Sequence, residues 1–312
     1  MDDLKLCLSA LLPILLLAAA GYAAKRGALI REEDVPRANK WAFAVFMSVM
    51  CFYNVYSSDL SSALRPRLIF FTLCAILAVY GLSFLLASRL VPERQRRGVV
   101  IQGLFRSNFA ILGLPMAAGL APGGDIGAAA VMGAVVVPCF NVLAVITLES
   151  FRGSKPDTRK LLLDILRNPL ILGSAAGIVF LALGIRLPAV LEKPVQDVAK
   201  AASPLMIFLL GAHFRFRTDP ATRRATALVC LGRLVVVPAL VLGLAAALGF
   251  RVVELITLLA VFATPTAVAS YTMAEQLGGD ASLAGSIVVT SSFFSVFTLF
   301  GWSFLFKLLN FF

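Results

Sequence analysis

Two short stretches set a proline between small residues inside otherwise apolar sequence: Gly113-Leu114-Pro115 and Thr264-Pro265-Thr266. A proline within a helix removes one backbone donor and collides with the carbonyl four residues earlier, here that of Ile111 or Val261. Lipid cannot satisfy the freed groups, so such breaks survive where protein or a water-filled cavity supplies partners. The half-helix ends they create carry partial charge and can hold ions. If the two breaks face each other, the amides of the outgoing half-helices converge on one spot, and that spot favours an anion. The alternative is that each proline merely kinks a packed helix, as expected of Pro138 and Pro238.

Polar residues gather near both breaks. Arg106 and Asn108 precede the first, Ser270, Tyr271 and Glu275 follow the second, and Asn54 and Asn141 lie in neighbouring apolar blocks. An arginine at membrane depth costs about 2.5–3.5 kcal/mol on insertion scales, so these groups are expected to face the interior. Asn108 and Asn141 are the preferred ligand donors, against the plainer role of hydrogen-bonding helices together. Arg106 either neutralises an anionic ligand or snorkels to an interface. Asp59 and Glu254 stand toward helix ends, where solvation is the simpler reading. Glu275 shares that position but is the best candidate for a protonatable coupling group. His213 reads as interfacial.

The elements that must position these residues are membrane helices. The chain has 312 residues, 60% hydrophobic and 14% charged, with a mean hydropathy of +0.91, too apolar for a water-soluble domain of this size. A span needs roughly 20 apolar residues. Blocks of that kind predict ten helices at about 6–24, 41–58, 67–90, 97–120, 126–149, 168–185, 196–214, 225–248, 253–276 and 281–306. The first block follows Asp2 and Asp3, the wrong charge for an export signal, and is read as a retained helix.

Most of the 28 lysines and arginines fall in alternate loops, at residues such as Lys25, Arg37, Arg94, Arg97, Arg152, Arg167, Arg223 and Arg224. The positive-inside rule makes that side cytoplasmic and puts both termini outside. Gly123-Gly124-Asp125 and Gly278-Gly279-Asp280 mark equivalent points of two five-helix repeats, 1–150 and 164–312. Pro13 and Pro169, expected to open the first helix of each half, and Pro115 and Pro265, inside the fourth helix of each half, echo the pairing. Five is odd, so the second repeat is inverted relative to the first.

Other chemistry has little support. The net charge of +11 is scattered without a nucleic-acid motif. The five cysteines are isolated and there is one histidine, so neither metal nor disulfide framework is expected, and no cofactor. No H-E-x-x-H or G-x-S-x-G motif suggests an intramembrane enzyme.

The motifs resemble the auxin efflux carrier family, which includes bacterial malonate and malate permeases and plant pin-formed auxin exporters. Arg106 and Asn108 through Gly113 and Pro115 look like that family's R-x-N-x-x-x-x-G-x-P stretch. Asn168-Pro169-Leu170 with Gly177, Gly184 and Pro188, and Ser203-Pro204-Leu205 through Gly211, are similar to its sixth and seventh helices. The segments from Thr264 to Ser270, Met273 to Glu275, Gly279-Asp280 and Ser291 to Thr298 look like its ninth and tenth. One departure concerns the second helix, where Ser48 stands in place of the usual proline before Phe52, implying a straighter helix around Cys51 and Asn54.

The resemblance implies an all-α fold like the bile-acid sodium symporters, a 5+5 inverted repeat with two crossed broken helices. Helices 1, 2, 6 and 7 (about 6–58 and 168–214) would form a scaffold, and helices 3–5 and 8–10 (about 67–149 and 225–306) a moving crossover domain. It also implies a homodimer and an elevator-type secondary transporter in a bacterial inner membrane. The expected substrate is a small organic anion, a dicarboxylate such as malonate or malate, or an auxin-like monocarboxylate. Of the site expected from the breaks and their polar neighbours, comprising Asn54, Arg106, Asn108, Gly113, Leu114, Pro115, Asn141, Thr264, Pro265 and Thr266, the resemblance matches Asn108 and Asn141 to asparagines that line the family's auxin site. Protons or sodium are possible coupling ions. A sodium-coupled symporter and a non-transporting membrane sensor are the competing readings.

Overall fold

The computed structural model describes residues 2–58, 65–121, 127–152, 158–214 and 219–311, and among these every regular element is helical. Helix α1 is Asp2–Arg26, and α2 spans 34–56. Pro66–Leu90 is α3, and Arg94–Phe105 (α4) is followed after a break by Phe109–Leu120 (α5). Gly127–Phe151 is α6 and Thr158–Leu166 is α7. The second half begins with α8 (Pro169–Ala182), α9 (Ala189–His213) and α10 (Pro220–Ala247). Val253–Phe262 (α11) and Ala269–Gln276 (α12) are again separated by a break, and α13 is Ala281–Leu308.

Helices α3, α6, α9, α10 and α13 are long and apolar enough to cross a membrane, and α5, α8 and α11 are shorter apolar helices. Leu16, Phe70, Leu77, Leu82, Leu240, Leu244, Phe293 and Phe297 are exposed. In water such a surface would be costly, whereas hydrocarbon solvates it at no penalty.

Several boundaries differ from the sequence expectation. Helix α2 starts at Asp34 rather than 41, because its first turns, rich in Asp34, Arg37 and Lys40, bury only Val35 and Asn39 and so escape a hydropathy reading. It is not straight in the regular sense: a π-helical turn occupies Ala42–Met47, and Ser48 donates its hydroxyl to the carbonyl of Phe43, 3.3 Å away. Pro169 does open α8, at its first turn, but Pro13 lies inside α1. The amphipathic α7 was not expected. Gly123-Gly124-Asp125 and Asp59 lie outside the described residues. At its counterpart Gly278 takes φ +75°, and the side chain of Asp280 accepts from the amide of Leu283, capping α13.

Close backbone approach organises two helix pairs. A Cβ on Gly211 of α9 would lie 1.9 Å from the carbonyl oxygen of Ala18, and one on Gly21 equally close to that of Phe208. Gly173 and Gly177, one turn apart on α8, similarly meet the carbonyls of Ser48 and Phe52 on α2, at 2.4 and 2.7 Å. Small residues at this spacing let helices pack on van der Waals contact, which drives association where no hydrophobic force exists between them.

The basic end is tied across the two halves. Arg96 from α4 bridges Asp280 at 3.0 Å and Asp219 at 3.4 Å. Asp219 also caps α10 by accepting from Thr222. That bond first, then Arg96, holds the Asp219 carboxyl below its ordinary range.

Candidate functional site

Both interrupted helices break at the same place. The chain leaves α4 at Arg106 and re-enters α5 at Phe109, while α11 stops at Phe262 and α12 starts at Ala269. Ser107 and Thr266 pair as an antiparallel bridge. The amide of Asn108 donates to the carbonyl of Pro265 at 2.8 Å, and that of Ala267 to the carbonyl of Arg106 at 3.3 Å. Proline has no N–H, but in this register position 265 is asked only for its carbonyl.

The first break therefore differs from its expected position. It falls at 106–108, and Gly113-Leu114-Pro115 lies beyond it in continuous helix. Pro115 occupies the first turn after a π-helical segment, Phe109–Gly113, whose wider turn makes room for the ring. Pro238 is accommodated in the same way after Gly232–Val236.

Helix ends inside a membrane leave carbonyls that nothing in lipid can satisfy. Here side chains supply the donors. Thr266 donates its hydroxyl to the carbonyl of Gly103 at 2.8 Å, and Thr264 its hydroxyl to that of Ala260 at 2.9 Å. Arg233, fully buried in α10, donates Nη1 to the carbonyls of Leu104 and Phe105, at 3.3 and 3.2 Å. Its Nη2 reaches the carbonyl of Val261 at 2.7 Å, and its Nε that of Thr264 at 2.9 Å. Val261 is the acceptor that Pro265 deprives of its usual backbone partner.

Next to the bridge lies a cleft of about 480 Å³. The crossing and α6 contribute Arg106, Ser107, Asn108, Ala110, Ile111, Asn141, Ala267 and Ala269, and the facing wall is Met50 and Asn54 of α2 with Ser203 and Met206 of α9. A second space of about 920 Å³ shares Asn54, Ala110 and Val137 with it and continues past Ser57, Ser58 and Gly127. The cleft thus opens toward the end opposite the Arg96 ion pairs.

Arg106 is buried, and among the described residues no carboxylate is within ion-pairing distance. Its Nη2 donates to Oδ1 of Asn141 at 2.6 Å, and its Nη1 points at the sulfur of Met273. Asn141 in turn donates to Sγ of Cys51 at 3.1 Å. Asn108 is equally buried, and its side-chain amide nitrogen has no partner. A polar hydrogen left unbonded in a dry site costs about 1–3 kcal/mol, which a ligand acceptor would recover.

Of the expected site residues, Asn54, Arg106, Asn108 and Asn141 come together around this cleft, and Leu114 lines the adjoining space. Gly113 does not line it; a Cβ there would lie 2.8 Å from the carbonyl oxygen of Ala260, so it serves the approach of α5 to α11. Pro115 is exposed. Thr264, Pro265 and Thr266 are buried and spent on the crossing itself, and the second break faces the cleft through Ala267 and Ala269 instead. Glu275 stands apart from the cleft, accepting from Nδ2 of Asn39 on α2. His213 lies against Tyr271, ring centroids 5.0 Å apart.

Arg233, Ser107, Met50, Ser203 and Met206 were not anticipated. An arginine within an apolar block was the one signal for Arg233, while its acceptors lie on two other helices and become visible only in three dimensions.

Comparison with curated proteins finds no match to this sequence. The family profile described as membrane transport protein matches residues 6–155 and 155–303, which is nearly the entire chain. With motifs, apolar helices and paired breaks in agreement, the chain belongs to the membrane transport protein family, that of the auxin efflux carriers.

Proposed function

We propose that this protein is a secondary transporter of small organic anions that binds its substrate in the cleft beside the crossing. One observation carries the reading: the buried guanidinium of Arg106 reaches the cleft with no carboxylate among the described residues to neutralise it, beside a donor on Asn108 that has no partner among them. A carboxylate or two on a small molecule would supply both the charge and the acceptors. Ala110, Ile111 and Ala269 add the opening turns of α5 and α12, whose positive dipole ends favour the same sign of charge.

In this reading α3–α6 and α10–α13 move against α1, α2, α8 and α9 by an elevator-type displacement, and the close glycine contacts of Gly21, Gly173, Gly177 and Gly211 keep the latter group together. The functional unit is a homodimer in a bacterial inner membrane, with both termini outside. Glu275 is the proposed proton-coupling group, since its carboxylate meets Asn39 between the two sets of helices.

Purified protein in proteoliposomes tests this with labelled malonate, malate and indole acetate, with and without proton and sodium gradients. Saturable flux of at least one anion is the expected result. Absence of saturable flux for a broad panel of mono- and dicarboxylates would count decisively against it.

A further inference from the structure

The two half-helices that run into the crossing, α4 and α11, end with their carbonyls directed at one point, and Arg233 fills that point. Its four acceptors among the described residues are main-chain oxygens: Leu104 and Phe105 at the end of α4, Val261 at the end of α11 and Thr264 just past it. Among the described residues no carboxylate pairs with it. Each helix C-terminus is equivalent to roughly half a negative elementary charge. Two such ends together offset about one positive charge, which is what a guanidinium carries.

Broken-helix carriers commonly use half-helix C-termini and unwound carbonyls to coordinate a sodium ion that drives transport. In this chain four of those oxygens already accept from Arg233, and a second cation beside it would be repelled in a medium of low dielectric. Gly232 eases the arrangement. A Cβ there would lie 2.5 Å from Cδ2 of Leu104, so the glycine lets α10 come close enough for the next side chain to enter the crossing.

We infer that Arg233 is a built-in cation which replaces an alkali coupling ion at the crossing, so that transport is not driven by sodium through this place. Arg233 acts as a positioning residue: it locks the ends of α4 and α11 and so fixes Arg106, on the next residue after α4, at the cleft. The inference rests on the chain being a carrier but not on the identity of its substrate.

Thermal unfolding of purified protein in detergent tests it without any substrate. The wild-type midpoint is expected to be the same in sodium, potassium and choline chloride at equal ionic strength. Arg233→Ala is expected to lower the midpoint and to regain part of it with low-millimolar methylguanidinium but not with tetramethylammonium. Arg233→Lys should fall between wild type and alanine. A saturable rise of the wild-type midpoint specific to sodium would overturn the inference, as would an alanine variant as stable as wild type. Should the alanine variant not accumulate, the wild-type salt series and the lysine variant decide the question. Failure to find an organic anion that is transported would leave all of these outcomes unchanged, so the two readings fail separately.

Discussion

Trp302 on α13 donates its indole N–H to the carbonyl of Leu234 on α10, 2.9 Å away. Leu234 is the residue four before Pro238, so this carbonyl is the one the proline leaves without a helical donor. A carbonyl that lipid would leave unsatisfied is thereby bonded by a side chain from another helix. Trp302→Phe should cost about 1–3 kcal/mol, the penalty for a buried acceptor left open. Adding Pro238→Ala, which returns a backbone donor, should recover a measurable part of the loss. A double-mutant cycle read by unfolding in detergent checks the coupling; strict additivity would remove it.

Arg106→Gln keeps most of the side-chain volume and removes the charge. Anion flux or binding should fall about tenfold to a hundredfold, matching about 1.5–3 kcal/mol for a hydrogen bond to a charged group. Arg106→Lys should restore only part, because a point charge cannot serve Asn141 and a ligand with a planar fork. Binding of labelled anion to purified protein measures both.

Asn108 and Asn141 should separate stability from affinity. The amide nitrogen of Asn108 has no partner among the described residues, so Asn108→Ala should leave the unfolding midpoint nearly unchanged while weakening anion binding. Asn141 holds Arg106 and Cys51, so Asn141→Ala should lower both. Equal stability losses in the two variants would remove the ligand role assigned to Asn108.

Glu275 offers a test of coupling. If its carboxylate carries the driving proton, Glu275→Gln should abolish the response of anion flux to an imposed proton gradient while leaving exchange between equal anion pools. Asn39→Ala, which removes a donor to the same carboxylate, should shift the pH dependence rather than erase it. Flux in counterflow and under a pH jump distinguishes the two variants.

Much of this site could be read in the sequence because burying polar groups in apolar blocks is expensive, and Asn54, Arg106, Asn108 and Asn141 therefore had to face inward. The second break was legible for a local reason, since Pro265 lacks a donor. The first was placed too late, because proline is the only residue that advertises a break by itself. Residues 106–108 leave the helix without one: their carbonyl neighbours exchange helical partners for Thr266 and Arg233, far away in sequence. The early start of α2 stayed hidden for the opposite reason, as a polar turn lacks the hydrophobic signature by which spans are found.

The Ser107–Thr266 bridge and the Arg233 contacts join the two interrupted helices into one stiff piece. In the proposed reading a molecule gripped by Arg106 and Asn108 is held from one bank of the cleft, and the facing bank combines two thioethers, Met50 and Met206, with Asn54 and Ser203. Sulfur and methylene make soft, undirected contacts that reform wherever they land. If one bank slides along the other as proposed, the thioether contacts reform at little cost while the oriented bond from Asn141 to Cys51 has to part, and the cargo would travel with its host.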